Sequence, residues 1–251
     1  SAEISITLPA SVKLYPTASV DYDCLNNVLS STVTVSIDAS VTNPADVDYS
    51  LDGSGVFQPS NVFTNLTPGM HFIRARHSNG CEKDTPDFEI LPIQPLTLEL
   101  KNGGLNEIVA VATGGSPQYR FTFNGEDYGS KNTFIYYKSG DYTVTVTDSN
   151  GCVATATKYF EFIDIDIPNV FTPNGDGNND GWLPTNTINY PDLIFHVFDR
   201  YGRKVGTFRE GQSWDGKYNE KELPSGDYWY VLKLKNQEDS REFVGHFTLY
   251  R

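Results

Sequence analysis

An internal repeat constrains the fold of this chain more than any other feature of its sequence. Residues 68–81 align with residues 139–152 at a constant offset of 71 positions, and both segments end in Ser-Asn-Gly-Cys. Upstream, Phe63 aligns with Phe134 at the same offset. Residues 224–231 form a weaker third copy of the start of the repeated segment. Self-similarity of this kind indicates that one supersecondary unit is repeated along the chain. We therefore expect consecutive domains of similar architecture.

The repeated segments have the period of β-strands. Tyr142, Val144 and Val146 alternate with threonines, which is the pattern of a strand with one buried face. The Ser-Asn-Gly segments predict tight turns, because Asn and Gly accept the positive φ that hairpin turns require. The same alternation recurs at residues 33–37, 96–100 and 119–123. Short strands separated by turns predict an all-β fold of three consecutive immunoglobulin-like β-sandwich domains.

Two proline-containing segments mark the predicted domain boundaries. Residues 91–95 close the first unit and residues 163–168 lead into the last, and both are extended because residues before proline avoid the helical region. The predicted domains are residues 1–93, 94–163 and 164–251. Residues 1–21 fit either an added strand or the tail of a preceding repeat. The sequence at the start predicts a fragment of a longer chain.

The charge balance excludes two classes of partner. The chain has 19 Lys and Arg against 32 Asp and Glu, for a net charge of −13. Binding to nucleic acid or to an anionic membrane surface requires clustered basic residues, so neither is predicted. No apolar run approaches the roughly 18 residues of a membrane-spanning helix, so the chain is not expected to span a membrane. The acidic surface is typical of an extracellular protein.

Three cysteines leave one without a mate. Cys24 and Cys81 fall within the first unit, whereas Cys152 falls within the second at the position equivalent to Cys81. We predict a disulfide between Cys24 and Cys81 with Cys152 as a free thiol, in keeping with an extracellular location. The alternative is three reduced thiols buried as small hydrophobic side chains.

One loop alternates oxygen-bearing side chains with glycine. Asn174, Asp176, Asn178 and Asp180 stand at every second position, which is how short loops wrap Ca²⁺. The acid expected at the twelfth position of such a loop is replaced by Leu183. We therefore favour a rigid loop in which side-chain oxygens accept backbone N–H groups. No cofactor is required under this interpretation, and Ca²⁺ remains the alternative ligand.

Signatures of catalysis are missing from the sequence. None of its histidines stands at metal-ligand spacing, and the sequence has neither a nucleophile elbow nor a phosphate-binding loop. His71 occupies the inward position that Tyr142 takes in the second unit, so we expect a packed core histidine. Among residues 228–230 only Trp229 is expected to expose its ring. We predict that the chain is not an enzyme.

The second unit resembles a family of repeats. Residues 114–121 (GGSPQYRF) and 139–152 (SGDYTVTVTDSNGC) are similar to the repeats of giant Bacteroidetes surface adhesins used in gliding. The first unit matches this pattern poorly, because it lacks the Gly-Gly-x-Pro start. It is at most a diverged repeat.

The last unit resembles a second family more closely. Residues 167–182 (IPNVFTPNGDGNNDGW) are very similar to the start of the gliding-motility-associated C-terminal domain, the type B sorting domain of type IX secretion. Further motifs of that family follow in order at residues 190–191, 197–205, 214–216 and 223–231, before the chain ends at Arg251. Asp199 stands where the family often has Asn.

This resemblance implies a location, a partner and a site. The implied protein is secreted, lies outside the cell at the outer-membrane surface, and is a non-enzymatic part of a gliding adhesin. The implied partner is an outer-membrane component of the type IX translocon or an adhesin-associated barrel protein. The residues expected to contact it are Asn174, Asp176, Asn178, Asp180, Asp199, Arg200, Tyr201, Gly202 and Arg251.

The sequence also fits two other functions. The chain fits the sorting end of a secreted enzyme whose catalytic domain lies upstream. The sandwiches also fit modules that bind a surface glycan.

Overall fold

Almost all of the regular secondary structure of the protein is β-strand. The structure, a computed structural model, describes residues 12–25, 28–92 and 94–251. Strands make up 49% and helix 1%, which confirms the predicted all-β class. Residues 1–11 and Ile93, which belong to the predicted first unit and its boundary, lie outside the described residues. Within the described residues, no helix has the length and apolar character needed to cross a membrane.

The described residues up to 92 form eight strands and a short 3-10 helix, Pro44–Asp46. The strands are β1 (Thr17–Leu25), β2 (Val28–Ser36), β3 (Val47–Leu51), β4 (Val62–Thr64), β5 (Gly69–His71), β6 (Ile73–His77), β7 (Glu82–Asp84) and β8 (Phe88–Ile90). They form sheets of order β1-β2-β4, β3-β6-β7 and β5-β8.

The middle of the chain forms seven further strands among its described residues. They are β9 (Thr97–Asn102), β10 (Glu107–Thr113), β11 (Arg120–Phe123), β12 (Glu126–Gly129), β13 (Thr133–Ile135), β14 (Gly140–Thr147) and β15 (Val153–Phe160). Their sheets have the orders β13-β10-β9 and β12-β11-β14-β15.

The last part of the chain contains one large sheet and one small one. Its strands are β16 (Val170–Phe171), β17 (Ile194–Phe198), β18 (Lys204–Arg209), β19 (Lys217–Tyr218), β20 (Lys221–Glu222), β21 (Gly226–Lys233) and β22 (Glu242–Leu249). The large sheet has the order β16-β22-β21-β17-β18, and β19 pairs with β20. Only β16 pairs in parallel among these described strands, with Val170 opposite Thr248 on β22.

The folded chain divides into two compact units, whose bounds differ from those of the three predicted repeats. The first contains the described residues up to Glu99 together with Val111–Lys131 and Thr143–Ala156, and the second contains Leu100–Ala110, Asn132–Tyr142 and Thr157–Arg251. The division into three domains at residues 93 and 163 stays a prediction.

One hydrogen bond recurs in all three copies of the repeat. In each copy, a side chain near the start of a strand bonds to the backbone carbonyl four residues earlier. The three bonds join His71 Nε2 to Thr67 O at 2.7 Å, Tyr142 Oη to Lys138 O at 2.9 Å and Tyr228 Oη to Pro224 O at 2.9 Å. This is the tyrosine corner of immunoglobulin-like sandwiches. His71 is only 9% exposed, which confirms its predicted place in the core.

A second bonding pattern also repeats. Asp52 and Asn124 both have positive φ, of 48° and 46°, at the turn before Gly53 and Gly125. The backbone N–H of Asp52 donates to Phe72 O, and Phe72 N–H donates to the Asp52 side chain. Asn124 makes the same two bonds with Thr143, at 2.8 and 2.9 Å. The repeat seen in the sequence therefore extends to individual hydrogen bonds.

The disulfide prediction is wrong. Cys24 is bonded to Cys152, and Cys81 is an exposed free thiol. Cys24 lies next to the end of β1, where its backbone N–H donates to Asn150 O at 3.2 Å. This strand end reaches the turn before Cys152 within the first compact unit. The bond spans 128 positions, and the chain-entropy model gives a loop of that length about 5 kcal/mol of stabilisation.

The core of the second compact unit contains two buried tryptophans. Trp182 and Trp214 are buried and exchange two backbone hydrogen bonds, at 2.8 and 3.0 Å. The Trp182 ring stacks on Phe247 with centroids 4.1 Å apart, and its Nε1 donates to Pro168 O at 2.7 Å. Both the apolar area and the polar atom of Trp182 are thus satisfied inside the fold.

The Trp182 ring gives a direct test of this core. We expect Trp182→Ala to lower the free energy of unfolding by roughly 3–5 kcal/mol, because it leaves a large cavity. Trp229, whose side chain is 41% exposed, provides the control: Trp229→Ala should cost about 1 kcal/mol or less. Urea unfolding followed by near-ultraviolet circular dichroism measures both. Equal losses in the two variants would contradict the assigned core.

His71 should make stability depend on pH. Its Nδ1 faces Asp52 Oδ2 at 2.8 Å and its Nε2 faces Thr67 O, and since both partners only accept, the doubly protonated ring satisfies both. These bonds, the Asp52 bond first, raise the pKa of His71 above its ordinary value. The stabilisation is therefore complete below about pH 6.5 and is lost as the pH rises through the folded pKa.

The matched control for this pH dependence is His71→Tyr, which restores the tyrosine of the other two copies. Urea unfolding between mildly acidic and mildly alkaline pH should show a decline above about pH 6.5 in the wild type but not in His71→Tyr. In the same samples, nuclear magnetic resonance should place the pKa of His196 below its ordinary value, because burial and the nearby Lys204, Lys233 and Lys235 lower it. Identical pH profiles for the wild type and His71→Tyr would refute the assignment.

Candidate functional site

The predicted contact residues 199–202 form the turn between β17 and β18. Asp199 Oδ1 accepts the backbone N–H groups of Tyr201 and Arg203 at 2.9 and 3.0 Å, and its Oδ2 accepts Arg203 Nε at 2.9 Å. Gly202 has a φ of 76°, which favours glycine. Burial alone would raise the pKa of Asp199, but these N–H groups and the Arg203 guanidinium hold the pKa below its ordinary value.

This turn divides its residues into supporting and exposed ones. Asp199 is 8% exposed and holds the backbone, whereas Tyr201 is 85% exposed. The Arg200 guanidinium lies 5.9 Å from the centroid of the Tyr201 ring. A clamped turn thus presents an arginine and a tyrosine to solvent, and preorganised side chains lose less entropy on binding.

A cleft of about 210 Å³ lies beside the turn. It is lined by Asp199, Arg200, Tyr201, Arg203, Leu223, Pro224, Asp227 and Tyr228. Three of the predicted site residues line it, and neither the 174–180 loop nor Arg251 does. The lining from Leu223 to Tyr228 was not among the residues predicted from the sequence. The signal was available, because these residues belong to the third copy of the repeat and to the tyrosine corner that supports this wall.

The 174–180 loop is held by its own side chains. Asp180 accepts the backbone N–H groups of Gly175 and Gly177 at 2.6 and 2.8 Å. Asp176 accepts the N–H of Asn178 at 2.7 Å, and a side-chain donor from Asn174 at 2.8 Å. These bonds, the Asn178 one first, lower the pKa of Asp176. Asn174 Oδ1 in turn accepts the backbone N–H of Asp176 at 3.1 Å. The oxygens at 174, 176 and 180 therefore already serve as acceptors in the loop, as the structural interpretation requires.

Calcium binding by this loop stays a prediction. Among the described residues, no group of three or more His, Cys, Asp or Glu side chains is arranged to hold a metal ion. A calcium ion at Asn174, Asp176, Asn178 and Asp180 would have to compete with N–H donors for the oxygens of Asn174, Asp176 and Asp180.

The Arg251 side chain is bonded to the fold through its guanidinium. Its guanidinium donates to the carbonyls of Gly216 and Leu223, both at 3.3 Å, and to Pro173 O at 3.4 Å. It also forms an ion pair with Glu222 at 3.2 Å, and its side chain is 22% exposed. Arg251 thus lies at the base of the 174–180 loop, where it joins separate backbone segments of the second unit.

The second compact unit also contains residues upstream of 164, which bond to its last part. Asn189 Nδ2 donates to Leu105 O at 2.7 Å, and Asn236 Nδ2 donates to the Tyr137 hydroxyl at 2.9 Å. The Tyr137 ring contacts Tyr190, with centroids 5.6 Å apart. Any test of function in this unit is therefore best made on the whole chain.

Comparison with known proteins gives a match for the last third of the chain. Residues 165–249 match the family described as CHU_C Type IX secretion signal domain. A sorting signal of this kind marks a secreted protein that is exported by the type IX secretion system to the cell surface or beyond. No match was found among the curated proteins.

Several solved structures are distantly similar. Three N-terminal domains of the highly immunogenic outer capsid protein of bacteriophage RB49 are 13% identical, with 94% of this chain and 98% of that chain covered and a TM-score of 0.41. A C-terminal intimin fragment, solved with the intimin-binding domain of its translocated receptor, is 16% identical, with coverages of 63% and 68% and a TM-score of 0.34. Dimeric latent PorU from Porphyromonas gingivalis is 10% identical, with coverages of 93% and 34% and a TM-score of 0.23. These likenesses are too distant to bear on function.

Asp180 separates the structural role of the loop from calcium binding. Asp180→Ala removes two N–H···O bonds to a carboxylate, so we expect the free energy of unfolding to fall by about 2 kcal/mol, equally in chelator and in excess calcium. Asp192→Ala, at an exposed aspartate elsewhere in the same unit, is the control and should have little effect. A wild-type protein that calcium stabilises, beside an Asp180→Ala variant that it does not, would show that the loop is a metal site.

Proposed function

We propose that this chain is part of a secreted, non-enzymatic cell-surface adhesin of the gliding type. Its last unit, from residue 164 onward, is recognised by an outer-membrane component of the type IX translocon or by an adhesin-associated barrel protein. Recognition leads to export and to attachment at the cell surface. The observation that carries the proposal is the match of residues 165–249 to a type IX secretion signal domain.

The core of the second compact unit supports recognition of a folded surface. Its buried residues run from Phe171 to Leu249, through almost the whole matched region. The predicted contact positions are scattered over more than 70 positions of sequence, so an unfolded chain could not present them together. A receptor therefore reads positions that only folding brings into a fixed arrangement.

The turn at 199–203 is the part of this surface best suited to contact a receptor. Tyrosine and arginine are enriched among the residues that dominate binding energy at interfaces. Tyr201 and Arg200 are both exposed, while Asp199 and Arg203 fix the backbone beneath them. The remaining predicted contacts, in the 174–180 loop and at Arg251, lie in the same folded unit, and their bonds also hold its backbone in place.

The adhesin part of the proposal rests on the repeats. Residues 114–121 and 139–152 resemble adhesin repeats, and the tyrosine corner and the turn at Asp52 recur at Tyr142 and Asn124. Consecutive sandwiches built on the same bonds are suited to spacing a binding region away from a membrane. No chemistry beyond binding is needed for this role.

Export of a reporter tests the proposal. The whole chain, fused behind a periplasm-directed reporter in a gliding bacterium with a type IX system, should deliver the reporter to the cell surface. If Arg200 and Tyr201 each contribute about 2 kcal/mol, the double variant to alanine should bind its receptor on the order of 1,000-fold more weakly and leave the reporter in the periplasm. Protease treatment of intact cells measures the surface fraction.

The control is Tyr159→Ala, which removes a tyrosine that is 60% exposed and lies outside the matched region. It should leave export unchanged, and all variants should unfold at the wild-type temperature. A folded wild-type fusion that stays in the periplasm would refute the sorting role. If the Arg200 and Tyr201 variant is exported normally, the sorting role stands and the assigned turn is wrong.

A further inference from the structure

The turn that ends with Cys81 is a structural copy of the turn that ends with Cys152. In the first turn, the backbone N–H of His77 donates to Cys81 O at 2.9 Å, and that of Gly80 donates to His77 O at 2.8 Å. In the second turn, the backbone N–H of Asp148 donates to Cys152 O at 3.0 Å, and that of Gly151 donates to Asp148 O at 3.1 Å. The two glycines have φ values of 90° and 82°. The same backbone shape therefore presents a cysteine in two successive repeats.

In the second repeat this turn holds a strand of the first repeat. Cys24, next to the end of β1, forms the disulfide with Cys152, and the two Cα atoms are 5.0 Å apart. The backbone N–H of Cys24 also donates to Asn150 O, within the same turn. Cys152 is consequently only 5% exposed. A disulfide bond and a hydrogen bond thus connect the end of β1 to this turn.

In the first repeat the equivalent thiol is free and exposed. Asn79 supplies the carbonyl equivalent to that of Asn150, one turn position before Gly80. The bonding rule seen at Cys152 joins the turn of one repeat to the strand that corresponds to β1 in the repeat before it. Applied to Cys81, the rule requires a strand from a repeat that precedes the first one.

We propose that Cys81 forms a disulfide with a cysteine on the equivalent strand of a preceding repeat in the same polypeptide. Cys24 and Cys152 are already bonded to each other and the sequence has only 3 cysteines, so the partner lies outside these 251 residues. Each repeat would then be stapled to the next by a bond of the Cys24–Cys152 type. This inference does not depend on the identity of the receptor or of the adhesion ligand.

The oxidation balances by thiol–disulfide exchange with a protein disulfide oxidant outside the cytoplasm. The Cys81 thiol loses its proton, and its sulfur attacks the oxidant's disulfide to give a mixed disulfide and release one thiolate. The partner's thiolate then attacks the Cys81 sulfur, forms the new bond and releases the second thiolate. Two thiols become one disulfide, and the oxidant takes up two electrons and two protons as a dithiol.

Disulfide mapping of the intact protein tests the proposal. The full-length chain is isolated from the cells that make it, with free thiols blocked by N-ethylmaleimide during lysis, and is digested without reductant. Mass spectrometry should find the Cys81 peptide linked to a further cysteine peptide of the same polypeptide. Cys81 carrying N-ethylmaleimide, a small thiol, a second copy of Cys81 or another protein would each overturn the proposal.

Thiol counts on variants provide an independent readout. If Cys81 is bonded, the wild type has no reactive thiol from this pair, and Cys81→Ser gains one reactive thiol, that of the abandoned partner. If Cys81 is free, the wild type has one and Cys81→Ser loses it. Cys24→Ser is the control, because it must expose Cys152 to N-ethylmaleimide whichever is true of Cys81. A loss of reactive thiol in Cys81→Ser would overturn the proposal even if that variant folded poorly.

Discussion

The hydrogen bond from the start of one strand to the carbonyl four residues earlier is the constraint around which each copy is organised. It closes the chain back on itself just before β6 and at the starts of β14 and β21. Each of these three strands pairs with an earlier strand, β3, β11 or β17. Because side chains alternate along a strand, fixing the corner residue inward fixes which face of the whole strand is buried. The burial of Ile73, Val144 and Leu232 is a direct result.

The first copy makes this corner with a different chemical group. A tyrosine hydroxyl donates one bond, whereas the His71 ring, when doubly protonated, donates from both nitrogens and reaches Asp52 as well as Thr67. The additional bond brings in a carboxylate from the neighbouring turn, so the corner and that turn are held as one element. Asn124 occupies the position of Asp52 in the second copy, where the corner residue is Tyr142 and no cation has to be matched. The change from Tyr to His at the corner and the change from Asn to Asp at the turn therefore belong together.

The fold class and the repeat could be predicted from the sequence because both are local. Alternation at residues 142–146 and the turn at 149–151 depend on neighbours along the chain. The disulfide could not be predicted, because Cys24 and Cys81 share a repeat, whereas the bond depends on where the end of β1 lies in space. At the candidate site, the sequence identified the 199–202 turn but not Arg203, whose role appears only when its guanidinium meets Asp199. Arg251 was predicted to face a partner, and the carbonyls that bind it are distant in sequence.

The bond between Cys24 and Cys152 also determines how the chain responds to tension. A force applied to the two ends of the protein passes from the backbone at Cys24 through the sulfur atoms to Cys152, so the residues between them carry no load. A segment of 128 positions would span roughly 420–460 Å if it were pulled straight. The disulfide removes this length from the part of the molecule that can stretch. A protein anchored at a surface and pulled from its other end would therefore gain no length from the residues between these two cysteines, and only the residues outside the loop could lengthen it.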